Sequence, residues 1–190
     1  MSPITHFLVG WTLAERFTKT PLARCLVTLA SVVPDLDGLG VVVDLVNRGL
    51  GRPESDWFGT LHHMLLHGGF GAMLAVGGAC LLGLRDRQSL LLVLVSFHLH
   101  LGCDFFGSRG PTPSEIWPIH YLAPFSQRWT VSFSHQWALN AWQNILFTAT
   151  LIVGVVTRAT IVGISPVSIF SRRWDTVVVQ TLRARFGKAC

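Results

Sequence analysis

Histidine and aspartate recur in this chain where apolar segments begin or end. His6 lies near the start of the first segment, Asp35 and Asp37 follow the second, and His62, His63 and His67 open the third. His98, His100 and Asp104 come late in the fourth, and His120 and His135 fall in the polar stretch beyond it. Imidazole nitrogens mixed with carboxylate oxygens are donors for a divalent cation, zinc first, with manganese or iron as alternatives. His100 and Asp104 are four residues apart, so on a helix they stand one turn above each other and can grip the same metal or neighbouring metals. A metal held this way lowers the pKa of bound water from ~15.7 towards ~7. One of the pair Asp35 and Asp37 can then act as the base that takes the proton, the pair sharing this role with metal binding. His98 points away from His100 and reads as a hydrogen-bonded interior histidine.

These residues need elements to bring them together. Hydrophobic residues make up 50% of the 190, charged residues only 13%, and the mean hydropathy is +0.48; a soluble domain carries about 25% charged residues, so the deficit points to lipid. Three stretches approach the roughly 20 apolar residues that cross a bilayer: Leu65 to Leu84, Ser89 to Phe106 and Trp137 to Val156. Two shorter ones, Ile4 to Leu13 and Leu22 to Val33, predict a helical hairpin that Pro34 helps to end. The fold expected is all-α, a membrane-embedded antiparallel bundle of about five helices. Helices that alternate up and down place every one of the His and Asp groups at the same end, so the bundle carries a metal site at one membrane face. Ionisable groups at membrane depth are costly, which makes each a functional candidate.

Residues 1–170 form the embedded domain, and residues 171–190 read as a basic amphipathic tail, with Val177, Val178, Leu182 and Phe186 among Arg172, Arg173, Arg183, Arg185 and Lys188. The net charge of +5 does not organise into a basic stripe interleaved with aromatics, so no nucleic-acid surface is evident. Of the Lys and Arg residues, only Arg48, Arg52, Arg109 and Arg128 fall on the His/Asp side. The positive-inside tendency therefore puts the site on the non-cytoplasmic face of an inner membrane and the C-terminus in the cytoplasm. Trp117, Trp129, Trp137 and Trp142 mark a membrane boundary and carry no catalytic weight. The four cysteines have no metal-type spacing, and the N-terminal stretch lacks the basic start and cleavage site of a signal peptide. Asp44, Glu54 and Asp56 read as solvated loop acids.

The ordered series Thr5-His6, Pro34-Asp35-Leu36-Asp37, His62-His63-Met64-Leu65-Leu66-His67, His100-Leu101-Gly102-Cys103-Asp104, Gly110-Pro111 and Trp117-Pro118-Ile119-His120 resembles the membrane-associated metal-dependent hydrolases of the YdjM-like inner-membrane type. That family is itself distantly similar to zinc-dependent phospholipases C and single-strand nucleases. The resemblance spans most of the chain and implies phosphoester hydrolysis, on a lipid head group, a lipid-linked phosphate or nucleic acid. It implies metal ligation by His6, Asp35, Asp37, His62, His67, His100 and Asp104. His63 stands where a basic residue is usual; on a helix it shares a face with His67, whereas a helix starting only near Met64 leaves His62 to swing in as ligand and His63 as its support. Arg109 and His120, in the loop 108–134, are the candidates for meeting the substrate. The rival reading is a non-enzymatic metal-binding membrane protein: a sensor, a transporter component or a regulatory partner.

Overall fold

The computed structural model describes residues 1–62, 64–110, 112 and 114–187. His63, expected to support the ligand set, and Pro111 lie outside the described residues. Eight α-helices are present among the described residues: α1 (Pro3–Phe17), α2 (Pro21–Ala30), α3 (Gly40–Gly49), α4 (Trp57–Leu61), α5 (Gly69–Leu81), α6 (Arg87–Gly107), α7 (Trp142–Val162) and α8 (Arg172–Phe186). A 3-10 segment, Pro34–Leu39, joins α2 to α3, and another, Pro166–Ile169, precedes α8. Ile119–His120 and Thr130–Val131 pair as antiparallel strands β1 and β2 in the long connection between α6 and α7.

Local chemistry starts the helices where the sequence breaks. Ser2 and Thr20 cap α1 and α2 by accepting from the amides of Thr5 and Ala23, with Pro3 and Pro21 at the first helical positions. Asp86 caps α6 through the Ser89 amide at 2.8 Å. That bond, reinforced by the Ser89 side chain, holds the Asp86 carboxyl below its ordinary range.

Helix α1 packs against α2, α6 and α7 and is the hub that fixes the site end of the bundle. Trp11 and Ala14 on this helix are fully buried. At its far end Glu15 takes a bidentate ion pair from Arg158 of α7, at 2.7 and 3.1 Å. Midway along its length α1 approaches α2 closely at Gly10. A Cβ there would sit 2.2 Å from the Ser31 Oγ and 2.8 Å from the Thr28 carbonyl. The Ser31 hydroxyl is itself 2.8 Å from the His6 carbonyl, so it has no room to retreat. Gly10→Ala is therefore expected to destabilise the protein by about 1–3 kcal/mol despite its better helix propensity. Thermal unfolding in detergent would check this, with Gly77→Ala, where a Cβ meets nothing within 4 Å, as the neutral comparison.

Helices α6 and α7, each of 21 residues, are long and apolar enough to cross a membrane. Helix α2 and the Pro34–Gly49 stretch pass the same test only as a pair bent by 60°. The expected span Leu65 to Leu84 is shorter than the sequence suggests: α5 has only 13 residues. Residues 64–68 stay irregular because the Leu66 amide donates to Asp37 and the Gly69 amide to the Tyr121 carbonyl. Gly68 also lies against that carbonyl, where a Cβ would come within 2.6 Å. The third expected span is displaced along the chain, from Trp137–Val156 to Trp142–Val162. Here the Asn144 amide group donates to the carbonyls of Gly107, Ala138 and Leu139 and holds residues 137–141 as a loop. The tail forms α8, docked by Arg183 Nε on the Thr160 carbonyl at 2.8 Å.

Candidate metal centre

Three elements meet at the end of the bundle where α1 begins and α6 ends. His6 comes from α1, Asp35 from the 3-10 segment, and His100 and Asp104 from successive turns of α6; one donor atom from each lies within 4.8 Å of those of the others. The helical spacing delivers the expected contact, with His100 Nε2 2.9 Å from Asp104 Oδ2. The other Asp104 oxygen is 3.2 Å from His6 Nε2 and also meets the α-amino group of Met1. His100 Nε2 is 3.8 Å from Asp35 Oδ1. The His6 and His100 rings stack with centroids 3.7 Å apart, and both are fully buried.

His100 Nδ1 is 2.8 Å from the Ser31 carbonyl. A carbonyl can only accept, so Nδ1 donates to it and Nε2 is left to face the cluster, the orientation that metal-binding histidines are given by outer partners. The group also has unmet polar atoms. Among the described residues, Nδ1 of His6 and Oδ2 of Asp35 are buried without a hydrogen-bond partner, and Nε2 of His6 faces Asp104 Oδ1 at 3.2 Å. Such atoms are rare in folded proteins, and a cation held between His6, Asp35, His100 and Asp104 would take one ring nitrogen of His6 and a carboxylate oxygen of Asp35 as partners. The donor set fits a divalent metal.

A second group, Asp37, His62 and His67, adjoins the first and by distance could also hold an ion. Asp37 is buried, and its carboxylate is surrounded. Oδ1 is 2.9 Å from His62 Nδ1, and Oδ2 is 3.1 Å from His67 Nδ1 and accepts from the Leu66 amide at 3.0 Å. His67 turns its other nitrogen to the first group, Nε2 lying 3.4 Å from His100 Nε2 and 3.7 Å from Asp104 Oδ2. A carboxylate on Nδ1 of a histidine whose Nε2 faces a metal is a recurrent way of fixing the ring. His62 occupies an extended position just after α4, stacked on Phe58 at 4.4 Å. The side-chain space at Gly38 is taken by this ring, since a Cβ there would lie 3.1 Å from it. The helix thus begins at Gly69 and not near Met64, which frees both His62 and His67 to reach Asp37.

Beside the donors is a pocket of about 310 Å³ lined by Asp35, His62, Asp104, Phe58 and Trp117, together with Met1. Asp35 faces it and Asp37 does not. His120 lines a neighbouring pocket of about 300 Å³ with His62, Glu115 and Trp117, close to the site but apart from the first group of donors. Arg109 is not among the residues lining either pocket, although its neighbour Ser108 lines the first; its amide donates to the Trp137 carbonyl and its carbonyl accepts from the Leu139 amide. His98 bonds the Leu94 carbonyl and the Tyr121 hydroxyl, at 2.8 and 3.0 Å, so it is hydrogen-bonded as expected, but it is half-buried and not interior. His135 is exposed beside Ser134. Sequence reasoning missed the Ser31 carbonyl and the Leu66 amide, backbone groups that no residue type announces, and the aromatic walls Phe58 and Trp117. No family profile, curated protein or solved structure matches this chain.

Proposed function

We propose that this chain is a membrane-bound, metal-dependent hydrolase of phosphoester bonds. The observation that carries the reading is the cluster of buried His6, His100 and Asp104 with half-buried Asp35, and the pocket beside it. A purely structural site is closed by its protein ligands, whereas a catalytic one keeps a position open to water and substrate. In this reading His6, His67, His100 and Asp104 hold the ion, most simply zinc. When bound, a metal of this kind activates water and stabilises charge on the phosphoryl oxygens. Asp35, on the pocket wall, takes the proton from the attacking water. Asp37 keeps His67 in place, and His62 with Trp117 shapes the way in. The ordered motifs shared with the YdjM-like hydrolases favour the same chemistry.

The test is direct. Protein purified in detergent should contain a divalent metal and hydrolyse at least one member of a panel of phosphodiesters and phospholipids. Chelation should remove that activity and added zinc or manganese restore it. A fully metal-loaded protein that turns over nothing would make the sensor, transporter-component or regulatory reading the better one. The orientation has its own check: the excess of basic residues at the other end of the bundle favours a cytoplasmic C-terminus and a site facing away from the cytoplasm. A reporter fused after Cys190 is expected in the cytoplasm and one inserted near Ser114 outside it; the reverse would put the site inside the cell.

A further inference from the structure

Beside the metal pocket an apolar groove of about 620 Å³, with almost no polar surface, runs between α6 and α7. On α6 its wall is Leu99, Gly102, Cys103 and Phe106, and on α7 it includes Leu146, Phe147 and Thr150. Each set is a single helix face, with spacings of three, four and seven residues. His100 and Asp104 project from the adjoining face of the same turns of α6. The stretch from Leu99 to Phe106 covers roughly 10 Å along the axis, most of the ~15 Å hydrocarbon depth of one leaflet.

We propose, building on the hydrolase reading, that the substrate is a membrane phospholipid, one of whose hydrocarbon chains lies in this groove while its phosphoester reaches the metal donors. Three features support a lipid chain as the occupant. The groove is bounded by the two helices that are long and apolar enough to span a membrane, so bilayer is what surrounds it. It is continuous with the chemistry, because Met1 lines both the groove and the metal pocket and its amino group touches Asp104. Its depth is created by a missing side chain, since a Cβ at Gly102 would meet nothing within 4 Å. A water-soluble phosphoester or a nucleic acid has no apolar chain to fill such a groove. Energy gained there, remote from the reacting bond, would serve to hold the phosphoester in position.

Gly102→Phe fills the groove without touching the donors. Gly154→Phe is its control, on α7 at a position that also meets nothing within 4 Å and does not line the groove. Methyl and hexadecyl 4-nitrophenyl phosphate carry the same scissile bond. The hexadecyl ester is expected to be the better substrate by about 10²-fold in kcat/KM, and Gly102→Phe to lower its value about tenfold or more while changing the methyl ester less than about twofold. Metal content should stay the same. Equal effects on the two esters, or none on either, would overturn the proposal.

A second measurement works without turnover. Hexadecyl phosphate with a diazirine at the chain end, photolysed in nanodiscs with the full chain, should label the groove faces of α6 and α7, and Gly102→Phe but not Gly154→Phe should abolish that labelling. Label spread evenly over the lipid-facing helices and indifferent to Gly102 would show that the groove holds only bulk lipid. Groove-specific labelling of a protein that hydrolyses no phosphoester would instead remove the hydrolase reading and leave the lipid site standing.

Discussion

His100→Ala is expected to cost the protein its metal, weakening binding at least about 10²-fold, while the chain still inserts and folds. The argument rests on what surrounds the ring. Its Nδ1 is committed to the Ser31 carbonyl at 2.8 Å, and its Nε2 stands within 4 Å of Asp104, His67 and Asp35. Removing it takes away a side chain that meets His6, Asp35, His67 and Asp104 by contact or stacking. His98→Ala, two residues away, is the matched control. That ring is held by Leu94 and Tyr121, so its loss should leave the bound metal within about twofold of wild type. Metal analysis of the two purified variants reads the difference. Equal loss in both would mean that the wrong face of α6 has been assigned.

How far the centre could be read from the chain depends on how local its causes are. The pairing of His100 with Asp104 follows from helix geometry alone, and the gathering of His6, Asp35 and Asp37 with them follows from antiparallel helices with polar groups at the proper ends. Both are legible because they need only periodicity and alternation. The stretch from Met64 to Gly68 is different. Its apolar residues read as the start of a spanning helix, yet the contacts that keep it irregular come from Asp37, 29 positions before Leu66, and from Tyr121 far beyond. No local propensity encodes them. The same holds for Asn144, whose side chain gathers three carbonyls from residues 107–139 and so moves the start of α7. The position of Arg109 is likewise set by pairing of its backbone with residues 137–139, which its charge and place in the sequence do not announce. The division of labour within Asp35 and Asp37 was equally hidden, because two acids two residues apart look alike until one is seen on a pocket wall and the other enclosed by two histidines and an amide.

That division gives the sharpest expected result. Asp35→Asn should keep most of the metal, since His6, His67, His100 and Asp104 remain as donors, yet lower phosphoester hydrolysis by ~10²-fold or more, as loss of a general base does. Asn retains the size and one oxygen of the carboxylate and removes its basicity. Asp37→Asn should behave in the opposite way. The native carboxylate only accepts, with His62, His67 and the Leu66 amide all around it. An amide NH2 in its place would turn a donor towards donors and loosen His67, whose Nε2 faces the cluster. Metal affinity should fall about 10- to 100-fold, in the range seen for outer partners of metal ligands. Activity measured at saturating metal should then recover to a large extent, as it cannot in Asp35→Asn. Titrating both variants with zinc while following metal occupancy and turnover separates the two roles. If Asp37→Asn stays inactive with its metal fully bound while Asp35→Asn is nearly wild type, the base is Asp37 and the second group of donors takes part in the chemistry itself.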